Sequence, residues 1–176
     1  GFLGNMATIL TSMFLHGGGM HIIGNMWFLY VFGDNVEDAL GHVRYLFFYL
    51  GGGFAAAFLQ AVMAPHAAVP NIGASGAIAA VLGAYMIWFP HSRVQTLVFL
   101  IVFVTVVEVP AILFLGYWFF LQFFQGTLSL GAAAAGGGVA WFAHVGGFLF
   151  GVLVALWLKG AGRVRPAAPL PVVWYR

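Results

Sequence analysis

The 176-residue chain contains no cysteine and very little charge, with six Lys and Arg and four Asp and Glu making up 6% of its residues. Without cysteine there can be no disulfides, no thiolate nucleophile and no cysteine-ligated metal. Ordinary soluble domains carry roughly a quarter charged residues, so a chain this poor in them is not one. Its basic residues, Arg44, Arg93, Lys159, Arg163, Arg165 and Arg176, form no run and stand beside apolar segments. The sequence pI of 9.2 therefore points to lipid headgroups, and no nucleic-acid partner is expected. His-Glu-x-x-His is missing, and no carboxylate accompanies the histidine pair near the start, so neither a metal nor a cofactor is expected. No internal repeat is evident, which argues against a transporter built from inverted halves.

What the chain has instead is apolar length: 63% hydrophobic residues and a mean hydropathy of +1.03 describe an integral membrane protein embedded in a lipid bilayer. A spanning helix needs about 20 apolar residues. Division at charged and Gly/Pro-rich interruptions gives five spans, at residues 20–39, 45–64, 72–89, 109–124 and 139–158. The expected fold is an all-α, polytopic membrane helix bundle. The acidic cluster Asp34, Glu37 and Asp38 closes the first span, and Pro110 is expected in the first turn of the fourth, where its missing N–H costs little. The β-branched stretch 94–107 is expected to be an interfacial or re-entrant segment, and the Gly/Ala-rich stretch 131–138 an outer loop. Basic residues follow the first, third and fifth spans and are absent after the second and fourth. By the positive-inside rule the C-terminus is cytoplasmic, and the first, third and fifth spans begin on the outer side.

Those three beginnings carry the polar residues. Ser75, in Gly73-Ala74-Ser75-Gly76, opens the third span, where unpaired backbone N–H groups and the positive helix end face its hydroxyl. His144 enters about five residues below the start of the fifth, an unusual depth for an imidazole. A serine nucleophile, an imidazole base and donors for an oxyanion are what peptide hydrolysis requires. His21 and Asn25, four apart, share a helical face, and both can donate to an oxyanion. His16 is expected to be a structural donor tying down the preceding loop, while His42, His66 and His91 receive no role. The four acidic residues lie toward the opposite side from His144, so a Ser-His dyad is expected rather than a triad. Ala140, His144, Gly147 and Gly151 share one helical face, as do Gly76, Ala79, Ala80 and Gly83. Two such strips let helix backbones approach closely.

Three separated stretches, His16-Gly-Gly-Gly-Met-His21-Ile-Ile-Gly-Asn25, Gly73-Ala74-Ser75-Gly76 and Ala143-His144-Val145-Gly146-Gly147 with Gly151 following, resemble the rhomboid family of intramembrane serine proteases. The resemblance implies Ser75 as nucleophile and His144 as general base. It implies His21, Asn25 and the Ser75 backbone N–H as the oxyanion hole, with Gly73 opening the Gly-x-Ser-Gly motif. Glu37 is similar to the family's glutamate at the inner end of the helix that bears His21. The family core has six spans, so residues 1–159 are expected to form a rhomboid-like protease domain without its first span, and 160–176 a cytoplasmic tail. The Trp-Arg pair of the family's first loop is absent. Stretch 126–138 and the fourth span correspond to the region that gates substrate entry in the family. The implied activity is cleavage of transmembrane protein substrates near the outer leaflet, in a prokaryotic cell membrane with the active site extracytoplasmic. The alternative is an inactive rhomboid-like protein that binds or escorts membrane clients.

Overall fold

A computed structural model describes residues 2–65, 72–100, 103–131 and 139–164. Stretch 131–138, His66, Asn71 and most of the expected tail therefore lie largely or wholly outside the described residues. The elements run α1 (Phe2–Ser12), α2 (Gly19–Leu40), α3 (His42–Met63), α4 (Ser75–Trp88), β1 (Arg93–Leu100), β2 (Phe103–Pro110), α5 (Ala111–Gly131) and α6 (Trp141–Gly160). Helices α2 to α6 fall where the five apolar segments were expected, and they form a helical membrane bundle. Three of them, α3, α5 and α6, are long and apolar enough to cross a membrane on length and composition alone. Helix α2 is as long as α3, but Asp34, Glu37 and Asp38 crowd its last turns.

The short helix α4 is the centre of the bundle. All of Gly76 to Tyr85 is buried, and the helix packs against α2, α3, α5 and α6. A helix apolar on every side has no solvent or lipid face and belongs inside a bundle. Its 14 residues span about 21 Å, against a hydrocarbon core of about 30 Å, so its two ends cannot both reach the membrane surface. At least one end of the helix therefore stops short of the surface. Helix α6 lies closest: a Cβ on Gly147 would collide with the carbonyl oxygen of Gly76, and one on Gly151 with that of Ala80. At the far end Trp88 Nε1–H donates to the Ala155 carbonyl at 3.1 Å.

Three features add to or depart from the sequence reading. Residues 94–100 and 103–107 lie in two paired antiparallel strands, with Arg93 opposite Pro110 and Gln95 opposite Glu108, because their Val- and Thr-rich composition suits an extended backbone. Pro110 ends β2 and precedes the first turn of α5. The N–H groups of Ala111 and Ile112 are satisfied by the carbonyls of Ser92 and Pro90 at the base of the strand pair. Residues expected to be loop form α1, which packs on α3, with the side chain of Met13 filling the space beside Gly53.

Candidate active site

Helices α2, α4 and α6 all begin at one end of the bundle, and Arg44, Arg93 and Lys159 fall at the other. His21, Ser75 and His144 therefore come together near one face although they are far apart in the chain. The contact is direct: His144 Nε2 lies 2.8 Å from Ser75 Oγ, both groups partly buried. The close backbone approach of α6 to α4 explains it. Ser75 precedes the Gly76 carbonyl and His144 precedes Gly147 by less than a turn, so the packing of the two glycines sets the separation of the two side chains. Gly76 also fits against α3, where a Cβ would press on that of Ala56 at 2.5 Å.

The pair lies on a cavity of about 870 Å³ whose lining includes His21, Asn25, Ser75, Trp118, Trp141 and His144. Asn25 is only 6% exposed, and its Nδ2 has no hydrogen-bond partner among the described residues. A buried amide left unpaired costs about 1–3 kcal/mol, so its presence calls for an acceptor that arrives from outside. His21 is oriented by its neighbour: the Gly17 backbone N–H donates to Nδ1 at 3.2 Å. A neutral ring that accepts at Nδ1 carries its proton on Nε2, which makes that atom a donor. Gly73 makes room for it. Its φ is +116°, a conformation that disfavours side chains, and a Cβ there would stand 2.7 Å from His21 Cε1 and 2.8 Å from Nε2. The Gly73 N–H donates to the Ser12 carbonyl at 2.9 Å, which fastens this corner to the end of α1.

His16 meets the His21 ring edge-on at a centroid distance of 5.3 Å, and its buried Nε2 has no partner among the described residues. The loop is held through Gly17 and Gly73 instead. At the opposite end His42, left without a role, has its Nδ1 2.6 Å from Glu37 Oε1 in an exposed pair.

Two residues escaped the sequence reading. Gln122 of α5, 7% exposed, has its Oε1 2.7 Å from His144 Nδ1. Gln60 of α3 accepts the Ala143 N–H at 3.1 Å, capping the first turn of α6 beside His144. The signal was partial: Gln60 is the one amide of α3 and Gln122 one of two in α5, with Gln125, and a polar side chain in an apolar span needs a partner. Taken together, the cavity holds a hydroxyl in contact with an imidazole, beside an amide donor with no acceptor among the described residues.

The family model described as Rhomboid domain matches residues 3–160. Over 158 residues the chain is 29% identical to "Rhomboid protein 1, mitochondrial" of Saccharomyces cerevisiae, covering 88% of this chain and 42% of that protein. Over 175 residues it is 29% identical to "Presenilin-associated rhomboid-like protein A, mitochondrial" of Danio rerio, covering 95% of this chain and 41% of the relative. A shorter match, 33% over 78 residues, joins it to "RHOMBOID-like protein 6, mitochondrial" of Arabidopsis thaliana, covering 44% of this chain and 25% of that protein. The chain thus spans about two fifths or less of the length of these relatives. No solved structure matches it significantly.

The relatives correct one expectation. All three carry mitochondrial names, which overturns the assignment to a prokaryotic cell membrane and the sidedness stated with it. The physical reason is plain: hydropathy and the distribution of Lys and Arg report that helices cross a bilayer and in which relative order, and every bilayer presents the same apolar core.

Proposed function

This chain belongs to the rhomboid family, and from that premise we propose that it is an intramembrane serine endopeptidase acting on transmembrane protein substrates with a Ser75–His144 dyad. The observation that carries the reading is the 2.8 Å contact between Ser75 Oγ and His144 Nε2 on a cavity that also holds the unpartnered Asn25 amide. Ser75 attacks the scissile carbonyl as His144 takes its proton, and His144 then returns the proton to the leaving amine. Negative charge developing on the carbonyl oxygen meets Asn25 Nδ2, His21 Nε2–H and the free N–H groups of the first turn of α4. Donors fixed in advance by a folded scaffold need no rearrangement, and removing one typically costs about 10²–10³ in rate. Water hydrolyses the acyl-enzyme.

A backbone inside an intact helix hides its carbonyls, so the substrate is a membrane protein whose helix unwinds near the Ser75 end of the bundle. The mitochondrial names of its relatives support an organelle membrane as the setting.

The test is labelling of the purified protein in lipid vesicles by a fluorophosphonate, with a fluorogenic transmembrane peptide as substrate. Ser75→Ala abolishes both labelling and cleavage, and His144→Ala abolishes cleavage. Labelling that persists in Ser75→Ala removes this serine from the mechanism. Tight binding of the peptide with neither labelling nor cleavage makes the protein a binding or escort protein instead.

A further inference from the structure

We infer that Gln122 is a positioning residue: its side-chain carbonyl holds the single imidazole proton of His144 on Nδ1 and leaves Nε2 free to accept the proton of Ser75. The inference rests on the proposed roles of Ser75 and His144 and deepens them.

Gln122 Oε1 stands 2.7 Å from Nδ1, in a setting where the Gln122 side chain has almost no exposure. A carbonyl oxygen only accepts, so the ring must be the donor in that bond. A neutral imidazole has one N–H. With it committed at Nδ1, Nε2 presents its lone pair to Oγ at 2.8 Å. The opposite tautomer has Nε2 as donor, and the serine hydroxyl then accepts a hydrogen bond where it should give one up. Two amide orientations would select two tautomers, and only the one with Oε1 toward the ring is productive.

The remaining neighbours fix the plane of the ring without choosing its proton. Trp118, one turn before Gln122 on α5, lies 5.9 Å from the His144 ring, and Trp141 meets it nearly perpendicular at 6.3 Å. Gln60 holds the backbone one residue earlier. In soluble serine hydrolases a carboxylate takes the Nδ1 position and also stabilises the imidazolium that forms. An amide cannot carry that charge. Its contribution is therefore orientation and tautomer, which separates its effects from those of an acid at the same place.

The experiment compares the full chain in lipid vesicles with Gln122→Leu and Gln122→Glu. It measures kcat and KM for a transmembrane peptide and reads the protonated ring nitrogen by nitrogen-15 NMR of labelled histidine. The wild-type ring carries its proton on Nδ1. Gln122→Leu, similar in size but without an acceptor, lowers kcat about 10- to 100-fold with little change in KM and mixes the two tautomers. Gln122→Glu, whose carboxylate accepts in the same place, restores kcat to within about threefold of wild type and keeps the proton on Nδ1. A wild-type ring protonated on Nε2 overturns the inference, as does a folded Gln122→Leu with unchanged kcat or a folded, inactive Gln122→Glu. If Gln122→Leu does not fold, the wild-type spectrum and the glutamate variant still decide. The spectrum needs no turnover, so an Nδ1 proton found alongside full cleavage by Ser75→Ala would count against the nucleophile and not against Gln122.

Discussion

Gly147 of α6 packs directly on the carbonyl oxygen of Gly76 in α4, so that two membrane helices touch through their backbones one residue past Ser75. That contact joins fold to chemistry, because no side chain separates the helices that bring the hydroxyl and the imidazole together. Gly147→Ala drives a methyl into a backbone carbonyl that cannot move alone, and the helices must part. The expected result is a loss of at least about 100-fold in cleavage and a destabilisation of about 1–3 kcal/mol, read by peptide turnover and by unfolding in detergent. Gly116→Ala is the control: among the described residues nothing lies within 4 Å of the added methyl, and the protein should be unchanged or stabilised by up to about 1 kcal/mol.

Asn25 sets stability against activity. Replacement by Leu, of similar size, removes a buried donor that has no partner among the described residues. Cleavage falls by about 10²–10³ through kcat while the unfolding free energy stays level or rises by about 1 kcal/mol. A variant that loses activity and stability together would show that the amide serves the fold.

The turn before Ser75 admits only glycine. In Gly73→Ala the new methyl meets the His21 ring, and the backbone at φ +116° resists a side chain. Cleavage is expected to fall by at least tenfold and stability by about 1–3 kcal/mol. The double variant Gly73→Ala/His21→Ala relieves the clash with the ring but not the backbone strain. Part of the lost stability should return, and none of the lost activity.

Trp88 tests the other end of the same helix. Trp88→Phe removes the indole donor to the Ala155 carbonyl, which keeps its own helical hydrogen bond within α6. A destabilisation of about 0.5–1.5 kcal/mol is expected, with kcat unchanged at temperatures where the variant is folded. A large fall in kcat would show that the two ends of α4 are coupled.

Much of this was legible in the chain itself. Apolar runs of membrane length located helices α2 to α6, since each needs only local composition to be recognised. The helical spacing of small residues on α4 and α6 announced a close approach before any contact was known. Motif spacing singled out Ser75, His144, His21 and Asn25. The strand pair was hidden because a Val-rich apolar stretch reads equally well as a membrane segment, and pairing depends on a partner strand. Gln122 was hidden for a different reason: in a run of phenylalanines it gives no sign of which way it faces.

Composition and periodicity by themselves determined that this chain is a bundle of membrane helices with His21, Asn25, Ser75 and His144 gathered at one end, because burying apolar length and alternating helix direction are properties of the linear sequence. Only the tertiary structure decided which atoms meet. The contact between Ser75 and His144 depends on how closely α4 and α6 approach, and the nitrogen of His144 that faces the serine depends on an amide delivered by a third helix. Such relations span 22 and 69 residues, and a hydrogen bond is decided within tenths of an ångström, a precision that spacing along a chain does not carry.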